Sequence, residues 1–402
     1  MRILIYGINF SPELTGIGKY SGEMASWLED QGNDVLVITA PPYYPEWQIK
    51  EGHSNFYSFK KFNNITIIRC PLFVPKKLST VSRLLHLISF SLSSFIPIIG
   101  TIFWKPDIVM QVAPTLMCSM QTLLLSKFSN AKSILHIQDF EVDAMFSISM
   151  EQTSRFKRAA ISIEKNILNS FDIISTISQG MVNKVKEKGI DFEKIVFFPN
   201  WSEIDRFLNQ SKDKIYLQSL GIDPLKNIIL YSGNMGEKQG LEIVIHAANK
   251  MKESKNSHFV LVGDGAIKEK LQDLSNKLGL FNVTFLPLQP YKDLPVLLGS
   301  ADCHLVVQKK GAADLVFPSK LTNILAVGGN AVITASEATS LGDLCNQFPG
   351  IAVLSSPESV SGLVVSIENS LSMPKPNLIA KNYAKKFLDK EIILNKFFGD
   401  LV

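Results

Sequence analysis

The chain has 402 residues, enough for two domains of roughly 150–200 residues each. Hydrophobic residues make up 46% and charged residues 19% of the sequence, which excludes a disordered chain and leaves ample material for two cores. The net charge of +4 is mild, and no stretch interleaves basic and aromatic residues, so nucleic acid is not an expected partner.

The cysteines and the start of the chain indicate a reducing compartment. The four cysteines are scattered without paired spacing, which argues against both a disulfide framework and a zinc site. Met1 to Gly7 has the pattern of a first β-strand and is too short for a secretory signal. We therefore expect a cytoplasmic protein without a zinc site.

The first elements predict a βαβ unit. A strand at Arg2–Tyr6 is followed by a glycine-containing loop, then by a helix that ends near Gly32 and a second strand at Val35–Ile38. Gly16 and Gly18 do not follow the dinucleotide-binding spacing. Because glycine has no Cβ, their backbone N–H groups could approach phosphate oxygens; alternatively, they serve only the path of the chain.

An aromatic loop follows the second strand. Residues 40–47 contain three prolines together with Tyr43, Tyr44 and Trp47. Such rings contact sugars and prenyl chains, and this places Tyr43 and Tyr44 on the side of an acceptor. The alternative is that they pack the loop onto its own domain.

The most apolar run covers residues 84–104, has no charged residue and has basic residues on both sides. Its length meets the about 20 residues needed to span a membrane. Pro97 and Gly100 interrupt it, however, and a predicted strand at Ile108–Val112 follows almost at once. We therefore favour a helix that lies on a membrane surface over a plain core helix or a spanning one.

A strand and an acidic loop are predicted between Ser133 and Asp143. The carboxylates of Asp139, Glu141 and Asp143 could contact acceptor hydroxyls, and Asp139 could position the acceptor nucleophile. Alternatively, they cap the next helix. His136, inside the strand, is expected to be a buried histidine with satisfied hydrogen bonds.

A second wound sheet begins after a linker that starts at residues 199–202. Its first strand is predicted at Asn227–Ser232, and the loop from Gly233 to Gly240 contains Asn234 and Lys238. Gly263 and Gly265 form a later strand–helix turn. We predict domains at 1–202 and 203–380, and a C-terminal helix from Asn377 to Leu401.

Residues 304–334 predict a strand, a polar loop, a helix closed by two glycines, and another strand at Ala331–Thr334. The loop runs through Asp314 to Pro318, Ser319 and Lys320, where the helix begins. In a parallel sheet, ligands bind at this carboxyl end of the strands. The free N–H groups of the helix start favour an anionic ligand.

The motifs Phe317-Pro-Ser-Lys-Leu and Ile324-Leu-Ala-Val-Gly-Gly resemble the donor site of nucleotide-sugar-dependent glycosyltransferases. The resemblance is to the family-4-like retaining branch of the GT-B fold, and within it to enzymes of colanic-acid and related exopolysaccharide clusters, described as fucosyltransferase-like. It covers nearly the whole chain. It implies an α/β fold of two Rossmann-like doubly wound domains facing a central cleft. It also implies that the last helical segment, 381–402, packs back on the first domain.

The resemblance also implies roles for the candidate residues. Gly16, Gly18, Gly263, Gly265, Pro318 and Ser319 would contact the donor, and Gly233 would open a loop that neutralises its diphosphate. The chain departs from the family at three places. Asn234 replaces an arginine, which leaves Lys238 as the cation of this loop; Gln138 replaces a histidine; and Asn323, with Asp314 nine residues before it, replaces a pair of glutamates eight positions apart.

These features predict a retaining, metal-independent glycosyltransferase that needs no cofactor besides its donor. Lys238 and Lys320 would stabilise the leaving phosphate while Asp139 orients the acceptor. The donor would be GDP-fucose or another GDP- or UDP-sugar, and the acceptor a polyprenyl-diphosphate-linked sugar or an oligosaccharide at the inner face of the plasma membrane. Two alternatives are an epimerase or hydrolase of the same fold and a non-catalytic, membrane-associated partner protein.

Overall fold

The computed structural model describes residues 1–13, 16–77, 79–141, 143, 155–253, 256–310, 318–399 and 401. The chain forms two compact units, Met1–Phe198 and Pro199–Val402. Each is built around one twisted, mostly parallel sheet with helices on both faces, the doubly wound Rossmann-like architecture that the sequence predicts.

Within its described residues, the first unit contains an eight-stranded sheet in the order β3-β4-β2-β1-β5-β6-β7-β8. Its strands are β1 Arg2–Gly7, β2 Asp34–Thr39, β3 Ser58–Phe62, β4 Ile65–Arg69, β5 Ile108–Ala113, β6 Lys132–Ile137, β7 Ile173–Thr176 and β8 Ile195–Phe197. Its helices are α1 Gly16–Asp30, α2 Thr80–Thr101, α3 Ser119–Ser129, α4 Arg155–Ser170 and α5 Gln179–Glu187. Only β3 and β4 pair antiparallel among these strands.

The described part of the second unit contains six parallel strands in the order β11-β10-β9-β12-β13-β14. They are β9 Asn227–Ser232, β10 Ser257–Val262, β11 Val283–Leu286, β12 Cys303–Val306, β13 Ala331–Thr334 and β14 Val353–Ser355. The helices are α6 Ile204–Phe207, α7 Lys214–Ser219, α8 Glu242–Lys250, α9 Lys268–Lys277, α10 Leu294–Ser300, α11 Ser319–Val327, α12 Ser340–Gln347, α13 Val360–Leu371, α14 Leu378–Phe387 and α15 Lys390–Gly399.

The apolar strand runs explain this architecture. β5 and β10 are buried at every residue, as is typical of parallel strands that are covered by helices on both faces. α11 is buried from Leu321 to Val327 and ends at Gly328, whose left-handed backbone closes the helix as predicted. In the hydrophobic core of the second unit, α11 packs against β12 and α14.

The prediction of one C-terminal helix from Asn377 to Leu401 is wrong, because the structure has two helices, α14 and α15. The break lies at Leu388 and Asp389, where the backbone of Ser202 pairs with this segment. The carboxylate of Asp389 accepts a hydrogen bond from the backbone N–H of Ile392 at 3.0 Å and so caps α15.

α2 covers the apolar run of the sequence. One side of it packs in the first core through Phe90 and Ile98, both buried. The helix is long and apolar enough to cross a membrane, but only 33% of its most apolar 18-residue window is buried inside the protein. The rest of the helix therefore presents apolar side chains outward.

Candidate active site

The order of the strands places a crevice at the centre of the second sheet. The chain leaves β9 towards β10 and β11 on one side and leaves β12 towards β13 and β14 on the other. The loops after β9 and β12 therefore diverge at the carboxyl edge, the position where doubly wound sheets bind ligands. These are the loop from Gly233 to Gly240 and the connection that leads to Lys320.

The two loops are joined through their backbones. The N–H of Lys309 donates to the carbonyl of Lys238 at 3.0 Å. Before it, the N–H of Gln308 donates to the hydroxyl of Thr334 at 2.7 Å, which ties the same loop to β13. The crevice therefore has a fixed backbone frame.

Lys320 is the most unusual side chain of this region. Its Nζ is buried and has no hydrogen-bond partner among the residues that the structure describes. The ammonium lies 3.9 Å from the ring centroid of Tyr231 and 3.2 Å from the position that a Cβ on Gly233 would occupy. Burial lowers the pKa of Lys320 to about 7. A buried cation with three unused donors is a site for an anion.

The start of α11 adds to this positive potential. Pro318 is the N-cap residue, and it provides no side-chain hydrogen bond to the first turn. Ser319, the first helical residue, is exposed. The N–H groups of the first turn and the positive end of the helix dipole therefore add to the charge of Lys320.

Lys238 and Asn234 lie on the other loop of the crevice, and both are exposed. The carbonyl of Asn234 accepts a hydrogen bond from the hydroxyl of Tyr231 at 2.5 Å. Tyr231 therefore supports both the loop and the ammonium of Lys320. The predicted donor residues Gly233, Asn234, Lys238 and Lys320 thus belong to one region of the second unit.

Gly263 and Gly265 have a structural reason to be glycine. Both have positive φ, and a Cβ on Gly263 would collide with the carbonyl oxygen of Gly233. A Cβ on Gly265 would lie 2.5 Å from the carbonyl oxygen of Met235. The two glycines let the loop after β10 pack against the loop after β9, and their predicted contact with a donor stays a prediction.

Asp314 and Asn323, which stand in place of the family's glutamate pair, differ in what the structure describes of them. Asp314 lies outside the described residues. Asn323 is nearly buried, and its Oδ1 accepts a hydrogen bond from the hydroxyl of Ser202 at 2.8 Å. Ser202 in turn holds the segment between α14 and α15. Asn323 therefore has a structural role, which the sequence did not indicate.

The first sheet has its own switch point between β1 and β5. The loop after β1 contains Glu13, which is only 2% exposed. Its carboxylate accepts hydrogen bonds from the amide of Asn9 at 3.0 Å and from the backbone N–H groups of Tyr43 and Tyr44, each at 3.2 Å. Burial nevertheless raises the pKa of Glu13. This carboxylate joins the loops after β1 and β2.

Arg69 completes this connection from β4. Its guanidinium donates to the carbonyl of Ala40 at 2.7 Å and to the carbonyl of Ser11. Sequence patterns indicate neither Glu13 nor Arg69, since a single charged residue in a loop or at a strand end carries no pattern.

The two predicted glycines of the first unit differ in their surroundings. A Cβ on Gly18 would lie 2.6 Å from the Cβ of Glu13, so Gly18 allows the loop to fold over α1. Gly16 begins α1 with a φ of +60° and has open space around it. Gly18 therefore serves the path of the chain. The left-handed backbone of Gly16 does so too, but the described residues also leave room beside it for a ligand.

Tyr43 and Tyr44 also differ in their surroundings. Tyr43 is 4% exposed and packs on Trp47 and His86, with ring centroids 5.5 and 4.7 Å away. Tyr43 thus packs the loop onto its own domain. Tyr44 is half-buried, and burial, followed by the nearby carboxylates of Asp139 and Glu13, raises its pKa. The structure thus places Tyr44 and the exposed Asp139 within electrostatic range of each other.

The residues around Asp139 have mainly structural contacts. His136 is buried, with Nδ1 2.9 Å from the hydroxyl of Ser175, as expected for a satisfied histidine. Gln138 is buried too, and its Nε2 lies 2.9 Å from Nε2 of His136. Asp143 forms ion pairs with Lys184 and Lys188 at 3.2 and 3.0 Å.

Glu141 accepts a hydrogen bond from the backbone N–H of Leu116 at 3.0 Å, which ties the end of β6 to the loop after β5. Burial, and then the carboxylates of Glu164 and Asp139, raise its pKa to about 7. Glu13 thus joins the loops after β1 and β2, and Glu141 joins those after β5 and β6.

Two family models match the chain, one in each unit. Residues 15–201 match "Glycosyl transferase 4-like domain", and residues 212–387 match "Glycosyl transferases group 1". Over the full length of both chains, the sequence is 52% identical to a protein of Escherichia coli K12 that is named for colanic acid biosynthesis, the glycosyl transferase WcaI.

Solved structures show the same fold at low sequence identity. Sucrose-phosphate synthase from Thermosynechococcus elongatus matches with a TM-score of 0.76 and 15% identity, covering 100% of this chain and 98% of that one. HepE of Anabaena, solved in complex with UDP, matches with a TM-score of 0.71 and 16% identity, covering 100% and 99%.

Proposed function

Because the chain belongs to the group 1 glycosyltransferases and has the GT-B fold, it is a glycosyltransferase, and we propose that it acts in bacterial surface polysaccharide synthesis. The proposed donor is a nucleoside-diphosphate sugar, GDP-fucose or another GDP- or UDP-sugar. The proposed acceptor is a lipid-linked sugar or an oligosaccharide. The likeness to the colanic acid protein supports this role, and the UDP complex of HepE is consistent with such a donor.

The unpartnered ammonium of Lys320 is the observation that carries the proposal. When the bond between the sugar and the diphosphate breaks, negative charge develops on the departing oxygen of the nucleoside diphosphate. Fixed hydrogen-bond donors around that oxygen lower the barrier. Lys320, the start of α11 and the exposed Lys238 supply such donors from two loops of one crevice. We propose that they neutralise the leaving diphosphate without a metal ion.

We propose that the sugar is transferred with retention of its anomeric configuration. In this front-face mechanism, the acceptor oxygen attacks from the side on which the diphosphate departs. Its proton moves to the leaving phosphate, so no side-chain base is required. Asp139, exposed at the end of β6 and within range of Tyr44, would orient the acceptor hydroxyl. A lipid-linked acceptor would place the protein on the cytoplasmic face of the membrane.

A thermal-shift panel of GDP, UDP, dTDP and CMP, each with its sugars, tests the donor. A ligand at 100 times its Kd adds about 2.7 kcal/mol of stability, which is readily detected. We expect one base class to respond in the wild type and the response to be lost in Lys320→Met. The absence of any response would contradict the proposal and favour a non-catalytic, membrane-associated protein.

Product analysis separates glycosyl transfer from hydrolysis and epimerisation of the donor. With the responding donor and extracted lipid-linked sugars, we expect a new glycoside whose anomeric configuration, read by NMR coupling constants, equals that of the donor. Release of free sugar or of an epimer at the same rate without acceptor would instead identify a hydrolase or an epimerase. Lys320→Met should lower kcat by roughly ten- to a thousandfold.

A further inference from the structure

α2 carries an unpartnered apolar stripe on its outer side. Leu92 and Ile96 are 71% and 70% exposed, although they lie in the middle of the helix. The stripe continues along the same side at three- and four-residue spacing, and its other exposed members are Val81, Leu85, Phe95, Ile99 and, just beyond the helix, Phe103.

A second stripe lies on α3. Met120 and Phe128 are 72% and 70% exposed, Leu124 lies on the same side of the helix, and Met117 is exposed in the turn just before it. α2 and α3 pack together: the side-chain amide of Gln121 in α3 donates to the carbonyl of Ser91 in α2 at 2.6 Å. Both helices make right-handed crossovers in the same direction along the sheet, so they cover the same face. Their exposed sides therefore point away from the sheet together.

The inner side of α2 is fastened to the sheet. The hydroxyl of Tyr6 in β1 lies 2.5 Å from the hydroxyl of Ser94 and donates to the amide oxygen of Gln121 in α3 at 2.6 Å. Phe90 is fully buried beside them. A helix held in this way can lie along a membrane but cannot cross it without giving up these bonds.

The strand β3 and the residues before it extend the stripes. Phe59 on this edge strand is 67% exposed, and Phe56 before it is 74% exposed. The hydroxyl of Tyr57 donates to the carbonyl of Ser93 at 2.7 Å, which attaches this segment to α2. We call the exposed apolar side chains of α2, α3 and residues 56–59 the apolar surface.

Positive charge is concentrated in the same part of the chain. Residues 52–138 contain nine Lys and Arg and a single acidic residue, Asp107, whereas the whole chain has 41 basic and 37 acidic residues. The exposed basic residues include Lys60, Lys61, Lys76, Lys77, Arg83, Lys105 and Lys127. A protein partner could cover an apolar patch of this size, but the basic residues around it select a partner with diffuse negative charge.

We propose that the apolar surface docks on a bilayer containing anionic lipids, with α2 and α3 lying in the plane of the interface. Leucine, isoleucine, methionine and phenylalanine side chains would enter the acyl boundary while the lysines meet the headgroups. This deepens the membrane location in the proposed function by assigning the contacting surface and the charge of the lipid. It requires no turnover and no nucleotide.

Vesicle co-sedimentation of the full chain tests the proposal. We expect binding to vesicles of phosphatidylglycerol and phosphatidylethanolamine, little binding to pure phosphatidylcholine, and weaker binding as salt rises. The double variant Leu92→Gln/Ile96→Gln should bind at least tenfold more weakly, because two apolar side chains no longer insert. Lys76→Gln/Lys77→Gln should lose about fivefold for each charge removed.

The second unit provides a matched control. Ile215 and Leu225 are 80% and 81% exposed, and Ile215→Gln/Leu225→Gln removes as much exposed apolar surface without touching the apolar surface of the first unit. This variant should bind vesicles like the wild type. An unchanged nucleotide response in the thermal-shift panel would show that the Leu92/Ile96 variant is folded, and it separates this test from that of the donor site.

Three results would overturn the proposal. Equal binding to neutral and anionic vesicles would remove the role of the basic residues, and unchanged binding by Leu92→Gln/Ile96→Gln would remove that of the stripe. A dimer in light scattering that the same double variant dissociates would assign the surface to a second copy of the chain.

Discussion

Replacing Lys320 by methionine should stabilise the ligand-free protein. The folded state holds this amine at a pKa of about 7, against an ordinary value of 10.5. Between these two pH values the unfolded chain binds a proton that the folded chain has released, so the folded state gains stability as pH rises. Methionine keeps the packing on Tyr231 and removes the ionisable group.

The size of the effect follows from the same two pKa values. At pH 7 the difference corresponds to roughly 4 kcal/mol of lost folding stability for the wild type. We expect urea unfolding at pH 7 to show a gain on the order of 2–4 kcal/mol for Lys320→Met, and a smaller gain at pH 10. Lys214→Met, at an exposed lysine of α7, should change little at either pH.

Donor binding should reverse the pKa shift of Lys320. A diphosphate beside the ammonium favours the charged form, so binding at pH 8 should take up nearly one proton. Isothermal titration calorimetry in buffers of different ionisation enthalpy measures this uptake. The intact nucleotide sugar is the suitable ligand, since its diphosphate has no group that titrates near pH 7. A wild type that binds donor without proton uptake, or a Lys320→Met protein no more stable than wild type, would refute the reasoning.

Two further substitutions test the loops of each unit. Gly263→Ala should lower the free energy of unfolding by about 3 kcal/mol or more and abolish the nucleotide response, because its Cβ would displace the carbonyl of Gly233. The control is Gly100→Ala, whose Cβ meets no atom within 4 Å. In the same urea titration it should stabilise α2 by about 0.5–1 kcal/mol. Glu141→Gln should raise stability at pH 8 by on the order of 1–3 kcal/mol and leave it unchanged near pH 4, because the wild-type carboxyl, with a pKa of about 7, loses stability as pH rises from about 4.5 to 7. Equal stability of Glu141→Gln and wild type at pH 8 would contradict this account.

The elements that sequence predicts well are those whose pattern is local. Asn227–Ser232 and Ala331–Thr334 are buried apolar runs that end at polar or glycine residues, and both strands have the predicted bounds. The strand–loop–helix pattern around Lys320 placed this lysine at a helix start for the same reason. No local pattern, however, states that its ammonium is buried without a partner, which depends on Tyr231 and Gly233 from another strand and loop.

Two features of the fold that were not predicted, the β3–β4 hairpin and the break after α14, have a local signal in the sequence. Asn63 and Asn64 separate two runs of β-forming residues, the pattern of a two-residue hairpin, and they form the turn between β3 and β4. Asp389, followed by the acidic Glu391, is the start signal of a new helix and marks the break after α14. In both cases the signal is a short polar interruption between longer runs of strand- or helix-forming residues.

Other roles depend on contacts between distant parts of the chain. Asn323 faces Ser202, and Gly263 faces Gly233, which are separations that no spacing rule relates. A resemblance transfers the position of such residues but not the neighbour that each one meets in this chain. Glycines that look like ligand contacts can therefore be packing requirements, as they are at positions 18 and 263.

Whether a buried polar atom has a hydrogen-bond partner distinguishes residues with a structural role from residues that can bind a ligand. Asn323 has its oxygen engaged by the buried hydroxyl of Ser202, so this oxygen does not require a ligand to satisfy it. Lys320 is different: among the described members of the predicted site, it alone combines a buried polar atom with the absence of any hydrogen-bond partner. A buried amine without a partner destabilises the folded state until an anion arrives. The loss of stability in the free protein and the affinity for a diphosphate thus have one origin, and the Lys320→Met variant should change both in opposite directions.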